Sequence, residues 1–324
     1  KKNKMRILFS SAGRRVGLMK CFQQAAKELG ISLDIYAIDL EPEWSPACHY
    51  ADKSWRVPRC TDADFISRVE EICKQQSIDL IIPTIDPELE VYSDFRQELA
   101  KEGTEVLLPP AELVKIAADK FKTATVLAQH GIATPRSRRS NDLQDTSTVK
   151  LPVFAKPLSG SRSVGAQIIR SQVLLATIKE EGDYIIQEEC SGEEYTANCY
   201  FDHKSGFVCT VPHYRKKVRS GEVCYAETRS IPEFQKVAEK LRQIVPDLDG
   251  VLSIQGFKKS DEELKIFEIN ARFSGGYPLC DYAGGTYAKW ILQRLAGQQP
   301  DYHIPWQAGV RMIRYDEAYY LKSE

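Results

Sequence analysis

The sequence predicts an α/β domain built on a parallel sheet, followed by an α+β domain. Three observations carry this. Through residue Pro110, short apolar runs ending in turns alternate with segments of helical spacing. Beyond it the runs become longer and more often alternating, as strands of an antiparallel sheet do. At 324 residues, 43% hydrophobic and 10% aromatic, the chain has enough apolar surface for two or three compact units.

Arg6–Ser10 is an apolar run ending in the turn Ser10–Gly13, a strand feeding a loop. Val16–Leu29 places apolar residues at helical spacing and stops at Gly30, which suits the left-handed position after a helix. Leu33–Ile38 is a second strand ending in Asp39, and Phe65–Cys73 a helix. Leu80–Ile82 is a third strand closed by Pro83, Glu88–Lys101 a helix ending before Gly103, and Val106–Leu108 a fourth strand closed by Pro109 and Pro110. This rhythm implies a small parallel sheet with helices on both faces, whose ligands sit beyond the carboxyl ends of the strands. Glu112–His130 then reads as one long helix broken at Gly131, and Ser137–Thr148, polar and aperiodic, as a surface loop. Leu151–Ala155, Gln167–Arg170, Tyr184–Gln187, Tyr195–Phe201 and Phe207–Pro212 read as strands. Gln235–Val245 is a helix stopped by Pro246, and Leu252–Phe257 with Leu264–Phe273 an antiparallel pair joined by the polar turn Lys259–Glu263.

Composition excludes several function classes. Lys plus Arg total 44 and Asp plus Glu 45, a net charge of −1 that does not suit a nucleic-acid binder. No apolar run approaches the length of a bilayer crossing. The nine cysteines are scattered, with no C-x-x-C pair, and the basic N-terminus leads into too short an apolar segment for a signal peptide. The expectation is a reducing cytoplasm with free thiols. The five histidines sit in unrelated contexts and read as structural or solvated.

Three stretches carry chemistry. On a strand side chains alternate between faces, so Glu268, Asn270 and Arg272 share one face and Phe267, Ile269, Ala271 and Phe273 the other. Carboxylate and amide oxygens suit Mg²⁺ shared with phosphate, and arginine suits the charge on a transferred phosphoryl group. An ordinary half-exposed strand alternates in the same way. Gln255, on the partner strand, can add an oxygen to that face; a solvated strand glutamine is the plainer alternative. The second stretch is Lys156 at the end of an apolar strand, where a lysine is costly to bury unless it meets an anion. The small polar loop after it, with Ser159, Gly160, Ser161 and Gly165, can fold backbone N–H groups over phosphates, although its spacing is not that of a P-loop. A flexible hairpin is the alternative. The third is Gln187, Glu188, Cys190 and Glu194, where a strand turns near Gly192 and resumes. Extended backbone there can meet the edge of an adenine, and a carboxylate can accept from ribose hydroxyls; an acidic surface turn is the alternative.

Substrate determinants are sparser. Arg14 and Arg15 follow the first strand and can hold a carboxylate or phosphate, or lie on the surface. Asp86 and Glu88 follow the third strand on the same edge and can receive an ammonium, or mark the helix start beside Pro87. Arg215, Lys217 and Arg219 can face phosphates or an acidic substrate, or form a solvated hairpin.

In order along the chain, Asp119–Lys120, Phe154–Pro157 with its loop, Gln187–Glu194, Gln255 and Glu268–Arg272 resemble the ATP-grasp superfamily of ATP-dependent ligases. Within it the chain is similar to carbamoyl-phosphate-synthase-like proteins, matching a single ATP-grasp unit of the large subunit over nearly its whole length. The resemblance implies a Rossmann-like pre-ATP-grasp domain at 1–111, a small ATP-grasp subdomain at 112–190 and a large one with a C-terminal extension at 191–324. It implies that Lys120 and Lys156 hold the ATP phosphates under the loop Ser159–Gly165, with Gln187, Glu188 and Cys190 at the adenine and Glu194 at the ribose. It implies that Gln255, Glu268 and Asn270 ligate one or two Mg²⁺ and that Arg272 stabilises the transferred phosphoryl group. Many members carry an acid where Gln255 stands; glutamine is the pattern of the carbamoyl-phosphate-synthase branch. The implied activity is ADP-forming ligation of a carboxylate to an amine through an acyl phosphate. The implied partners are small molecules, with neither nucleic acid nor membrane, and a homodimer is compatible with it. Three other readings stand beside this one: a nicotinamide-dependent oxidoreductase resting on the N-terminal β-α-β unit and Asp39, a phosphotransferase on the same fold, and a nucleotide-binding regulatory module without turnover, against which Lys156, Glu268, Asn270 and Arg272 argue.

Overall fold

The structure, a computed structural model, describes residues 4–158, 165–219, 221–260, 262–302 and 305–322. Its first layer is the expected parallel sheet. The elements run β1 (Lys4–Ser10), α1 (Val16–Leu29), β2 (Ser32–Asp39), α2 (Pro46–Tyr50), β3 (Lys53–Arg56), α3 (Asp64–Gln76), β4 (Leu80–Pro83), α4 (Leu89–Lys101) and β5 (Glu105–Val106). The strand order is β3-β2-β1-β4-β5, and every pairing is parallel. Alternation along β1 decides what each face meets. Met5, Ile7 and Phe9 pack with Met19 and Phe22 of α1, whereas Leu8 packs with Phe65 and Val69 of α3. Gly30 takes the left-handed conformation expected of it, with φ 66°. Sequence reading missed α2 and β3, which are short and carry no clear period.

The expected single helix at 112–130 is two, α5 (Ala111–Ala118) and α6 (Lys120–Gln129). Asp119 between them is extended, and its Oδ1 accepts from the N–H groups of Phe121 at 2.8 Å and Lys122 at 2.9 Å. An aspartate binding the backbone in this way starts a helix rather than continuing one.

A small four-stranded sheet follows, from β6 (Ser137–Arg139), β7 (Val153–Pro157), β8 (Gln167–Ile169) and β9 (Tyr184–Glu188), in the order β6-β9-β7-β8. Helix α7 (Gln172–Glu181) covers it. The expectation of loop at 137–148 fails at its first residues, because the backbone of Ser137–Arg139 pairs with that of Ile185–Gln187. No side-chain pattern announces such a strand.

The third sheet has six strands. They are β10 (Glu193–Asp202), β11 (Gly206–Arg219), β12 (Glu222–Thr228), β13 (Gly250–Lys258), β14 (Lys265–Asn270) and β15 (Arg311–Ile313), in the antiparallel order β14-β13-β10-β11-β12-β15. Its helices are α8 (Pro232–Ile244), α9 (Tyr277–Tyr282) and α10 (Tyr287–Leu295). Tyr195, Ala197, Cys199 and Phe201 of β10 face Phe234 and Leu241 of α8. Tyr200 points the other way, into one continuous core with Trp290 of α10 and Met5, Ile7 and Phe9 of the first sheet. That shared core fixes the parallel sheet against the third sheet. Among the described residues no helix is long and apolar enough to cross a membrane.

The turn from β9 into β10 depends on Gly192, whose φ is 118°. A Cβ there would stand 2.7 Å from Lys258 O. Gly192→Ala is expected to cost roughly 1–3 kcal/mol from the backbone conformation alone, read as a lower denaturant midpoint.

Candidate active site

The antiparallel pair β13–β14 sets the centre of the site. Gln255 lies opposite Glu268 and Ser253 opposite Asn270, and the register slips between Gln255 and Gly256. Phe267 is the extra residue of that bulge. The expected alternation is therefore broken at one position. Ile266, Ile269, Ala271 and Phe273 are buried as core residues, but Phe267 turns to the site, where its ring stacks on Phe257 and lies 5.2 Å from Lys156 Nζ. Glu268, Asn270 and Arg272 still converge, although the strand ends at Asn270 and Arg272 lies just past it.

They line a cleft of about 140 Å³ between the sheets, together with Arg15, Glu194, Arg215 and Gln255. Gln255 Nε2 donates to Thr196 Oγ1 at 3.3 Å, and its Oε1 accepts from Asn270 Nδ2 at 3.3 Å. Arg272 makes a forked pair with Asp86, Nη2 to Oδ2 at 2.7 Å and Nε to Oδ1 at 2.9 Å, which aims the guanidinium across the cleft. Arg215 Nε lies 3.4 Å from Glu194 Oε1 without the alignment of a hydrogen bond.

Lys156 is 6% exposed, and its Nζ stands 3.9 Å from Glu268 Oε2. Burial pushes its pKa down to about 8, with the Lys120 charge adding to the fall and Glu268 opposing it. Both lysines thus sit within electrostatic reach of one spot. Lys120 opens α6, and its backbone N–H binds Leu158 O at 3.2 Å. Ser159, Gly160 and Ser161 lie outside the described residues.

The hinge residues are engaged in structure. Gln187 is buried and donates to Ser137 Oγ at 2.8 Å. Glu188 pairs with Lys265 at 2.6 Å and Arg136 at 2.8 Å, and its N–H is bound to Arg136 O. Its backbone N–H is therefore spent within the protein. Cys190 is half-buried, with its Sγ 3.9 Å from Glu188 O.

Two substrate candidates are corrected. Glu88 is fully buried and accepts from Ser10 Oγ and Ser11 Oγ at 2.7 Å and from the N–H groups of Thr84 and Ile85. All its hydrogen bonding goes to holding two loops together, so it cannot take an ammonium from solvent. Arg219 is exposed, pairs with Asp316 and does not reach the cleft. Asp86 is committed to Arg272. Arg14 is half-exposed, 3.7 Å from Glu222.

His213, read from sequence as structural or solvated, lines the cleft while 1% exposed. Its Nδ1 has no partner among the described residues. Burial, with Arg215 and Arg314 nearby, holds its pKa down at about 3. The folded state keeps it neutral while the unfolded chain takes a proton near 6.5. The stability this contributes is present above pH 6.5 and is lost as pH falls from there toward 3. His213→Gln is expected to flatten the pH dependence of unfolding free energy in that window.

The oxygen-only donor set fits Mg²⁺ rather than a thiophilic metal. Glu268 is the only carboxylate among Gln255, Glu268 and Asn270, so a divalent ion here needs phosphate oxygens to complete its shell. A different cluster, Asp202, His203 and Asp249, has the ligand types for a metal. Its two carboxylates are already matched by Arg294, at 3.6 and 2.8 Å.

Residues 7–107 match the family described as PylC-like, N-terminal domain, and residues 117–276 match the ATP-grasp domain. No curated protein matches the chain. Among solved structures, it is similar to the biotin carboxylase domain of 2-oxoglutarate carboxylase from Hydrogenobacter thermophilus, in complex with MgADP, ADP and bicarbonate. That likeness has a TM-score of 0.70 at 17% identity and covers 91% of this chain and 70% of the other. It is also similar to N5-carboxyaminoimidazole synthetase from Staphylococcus aureus, with a TM-score of 0.69 at 14% identity, over 94% and 81% of the two chains. The L-amino acid ligase from Bacillus licheniformis matches with a TM-score of 0.67 at 14% identity, over 91% and 75%. At these identities the likeness is one of fold.

Proposed function

The chain belongs to the ATP-grasp superfamily, and we propose that it joins a carboxylate to an amine at the expense of ATP, releasing ADP and phosphate. The observation that carries this is the convergence of Lys156, Gln255, Glu268, Asn270 and Arg272 at one junction between sheets. The named relatives of similar fold support it.

ATP lies between the small sheet and the third sheet. Lys156 and Lys120 hold its phosphates. Gln187 and the backbone at Glu188–Cys190 frame the adenine, and Glu194 takes the ribose. Glu268, with the amide oxygens of Asn270 and Gln255, would hold Mg²⁺, which would supply neutralisation of phosphate charge. A carboxylate oxygen of the substrate attacks the γ-phosphorus, the bond to ADP breaks, and an acyl phosphate forms. The amine then attacks the carbonyl carbon, phosphate leaves, and the nitrogen loses a proton. The protein contributes position and charge, since phosphoryl transfer needs no protein nucleophile. Lys156 gains full charge as phosphate arrives, because an anion favours its protonated form. Arg272, fixed by Asp86, meets the charge on the transferred group.

The test is product analysis with ATP, Mg²⁺ and pools of carboxylates and amines. ADP and phosphate that require both an acid and an amine are the expected result. AMP with pyrophosphate would sink the acyl-phosphate route. A phosphorylated product with no amine requirement would make the enzyme a phosphotransferase.

A further inference from the structure

The substrate end of the cleft is built from the loop after β1, the start of β12 and the turn at Gly275–Gly276. Arg15, from the loop after β1, reaches across to donate from Nη2 to Thr84 O at 3.1 Å, just past β4. β1 and β4 are neighbours, yet α1 packs on one face of the sheet and α4 on the other. Their carboxyl ends therefore frame the switch point of the fold, the crevice where such sheets take ligands.

Arg15 is short of counter-charge. Thr84 O occupies one of its five N–H donors, and among the described residues no carboxylate lies within ion-pair distance of it. The nearby carboxylate, Glu222, is already shared by Arg314 at 3.0 Å and Arg14 at 3.7 Å. Of the guanidiniums of Arg14, Arg15 and Arg314, the first and last pair with Glu222, and Arg15 has no ion pair among the described residues. Elsewhere in the cleft Arg272 is matched by Asp86, Arg215 by Glu194 and Lys156 by Glu268. Burial, with Arg272 and Arg314 close by, brings the Arg15 pKa down to about 10, although Glu222 opposes the fall. Room is kept beside it, since a Cβ on Gly275 would stand 3.4 Å from Arg15 Nη1 and one on Gly276 only 2.7 Å from the His213 ring. His213, neutral, adds no charge to the balance.

We propose that this end of the cleft is an anion subsite: one substrate carries, besides its reacting group, an oxyanion that pairs with Arg15. Calling its ligand a substrate rests on the ligase reading; the anion site itself does not. The oxyanion is a carboxylate or a phosphate ester, both of which match the guanidinium fork.

The test titrates the whole chain calorimetrically with acetate, succinate and 2-phosphoglycolate, with and without MgADP. Succinate or phosphoglycolate is expected to bind roughly 10- to 100-fold tighter than acetate, and the tighter of the two separates carboxylate from phosphate. Arg15→Gln removes that advantage and Arg15→Lys keeps part of it, while unchanged MgADP affinity shows that each variant is folded. Lys156→Met loses MgADP affinity but keeps the anion preference. Equal binding of the three anions, or a preference that survives Arg15→Gln, overturns the subsite and leaves the ligase reading standing. A wild-type chain that binds no MgADP overturns the ligase reading, and the Arg15 dependence then still decides the anion site.

Discussion

Replacing Glu268 by alanine is expected to lower ATP turnover by roughly a thousandfold or more, because it removes the one carboxylate among the three residues proposed to hold Mg²⁺. The fold is expected to survive. Glu268 is partly exposed, and its ion-pair partner among the described residues, Lys156, stands 3.9 Å away. With its pKa already near 8, Lys156 can shed its proton rather than persist as a buried, uncompensated charge. Glu268→Gln keeps the volume and loses the charge, so it should fall almost as far in turnover with still less effect on stability. ADP release, read beside the denaturant midpoint, separates the two effects. A folded Glu268→Ala chain with normal turnover would remove the metal role from this residue.

Arg272→Ala is expected to damage both stability and chemistry. Its forked pair with Asp86 links the end of β14 to the loop after β4, and so joins the third sheet to the parallel sheet. Both side chains are mostly buried, at 13% and 23% exposure, so cutting the pair strands a carboxylate. The cost is about 3 kcal/mol, the range for breaking a buried ion pair on one side. Turnover should fall by roughly 10²- to 10³-fold from lost stabilisation of the transferred group. Asp86→Asn separates these effects: it should lose similar stability while keeping more activity, because the guanidinium remains. Arg272→Lys restores charge without the fork and is expected to recover little. If Asp86→Asn were as inactive as Arg272→Ala, the role of Arg272 would reduce to holding the sheets together.

The same residues show how far sequence reaches. The length of α1 and its stop at Gly30 follow from local spacing and from glycine's tolerance of positive φ, and both are found as expected. So is the convergence of Glu268 and Asn270, which the period of a strand dictates, and Arg272 just past the strand joins them. The order of short motifs was enough to name the superfamily, because each is a local run whose chemistry depends on its own few residues.

What failed depended on partners distant in the chain. Phe267 belongs to the core by alternation, yet a bulge against Gln255 and Gly256 turns it to the site, and a bulge exists only in a pair of strands. Glu88 reads as an acid able to receive an ammonium or to mark a helix start; Ser10 and Ser11, far away in sequence, make it a buried acceptor. Ser137–Arg139 become a strand only because β9 offers its edge. The charge balance at Arg15 is likewise set by Thr84, Glu222 and Arg314, which the chain brings together from three different strand ends. Sequence by itself determined most of the elements and the chemical groups they carry, since propensity and period act over a few residues. The tertiary structure alone decided which groups are spent on one another and which remain for a ligand, because hydrogen bonding and charge compensation are settled between neighbours in space.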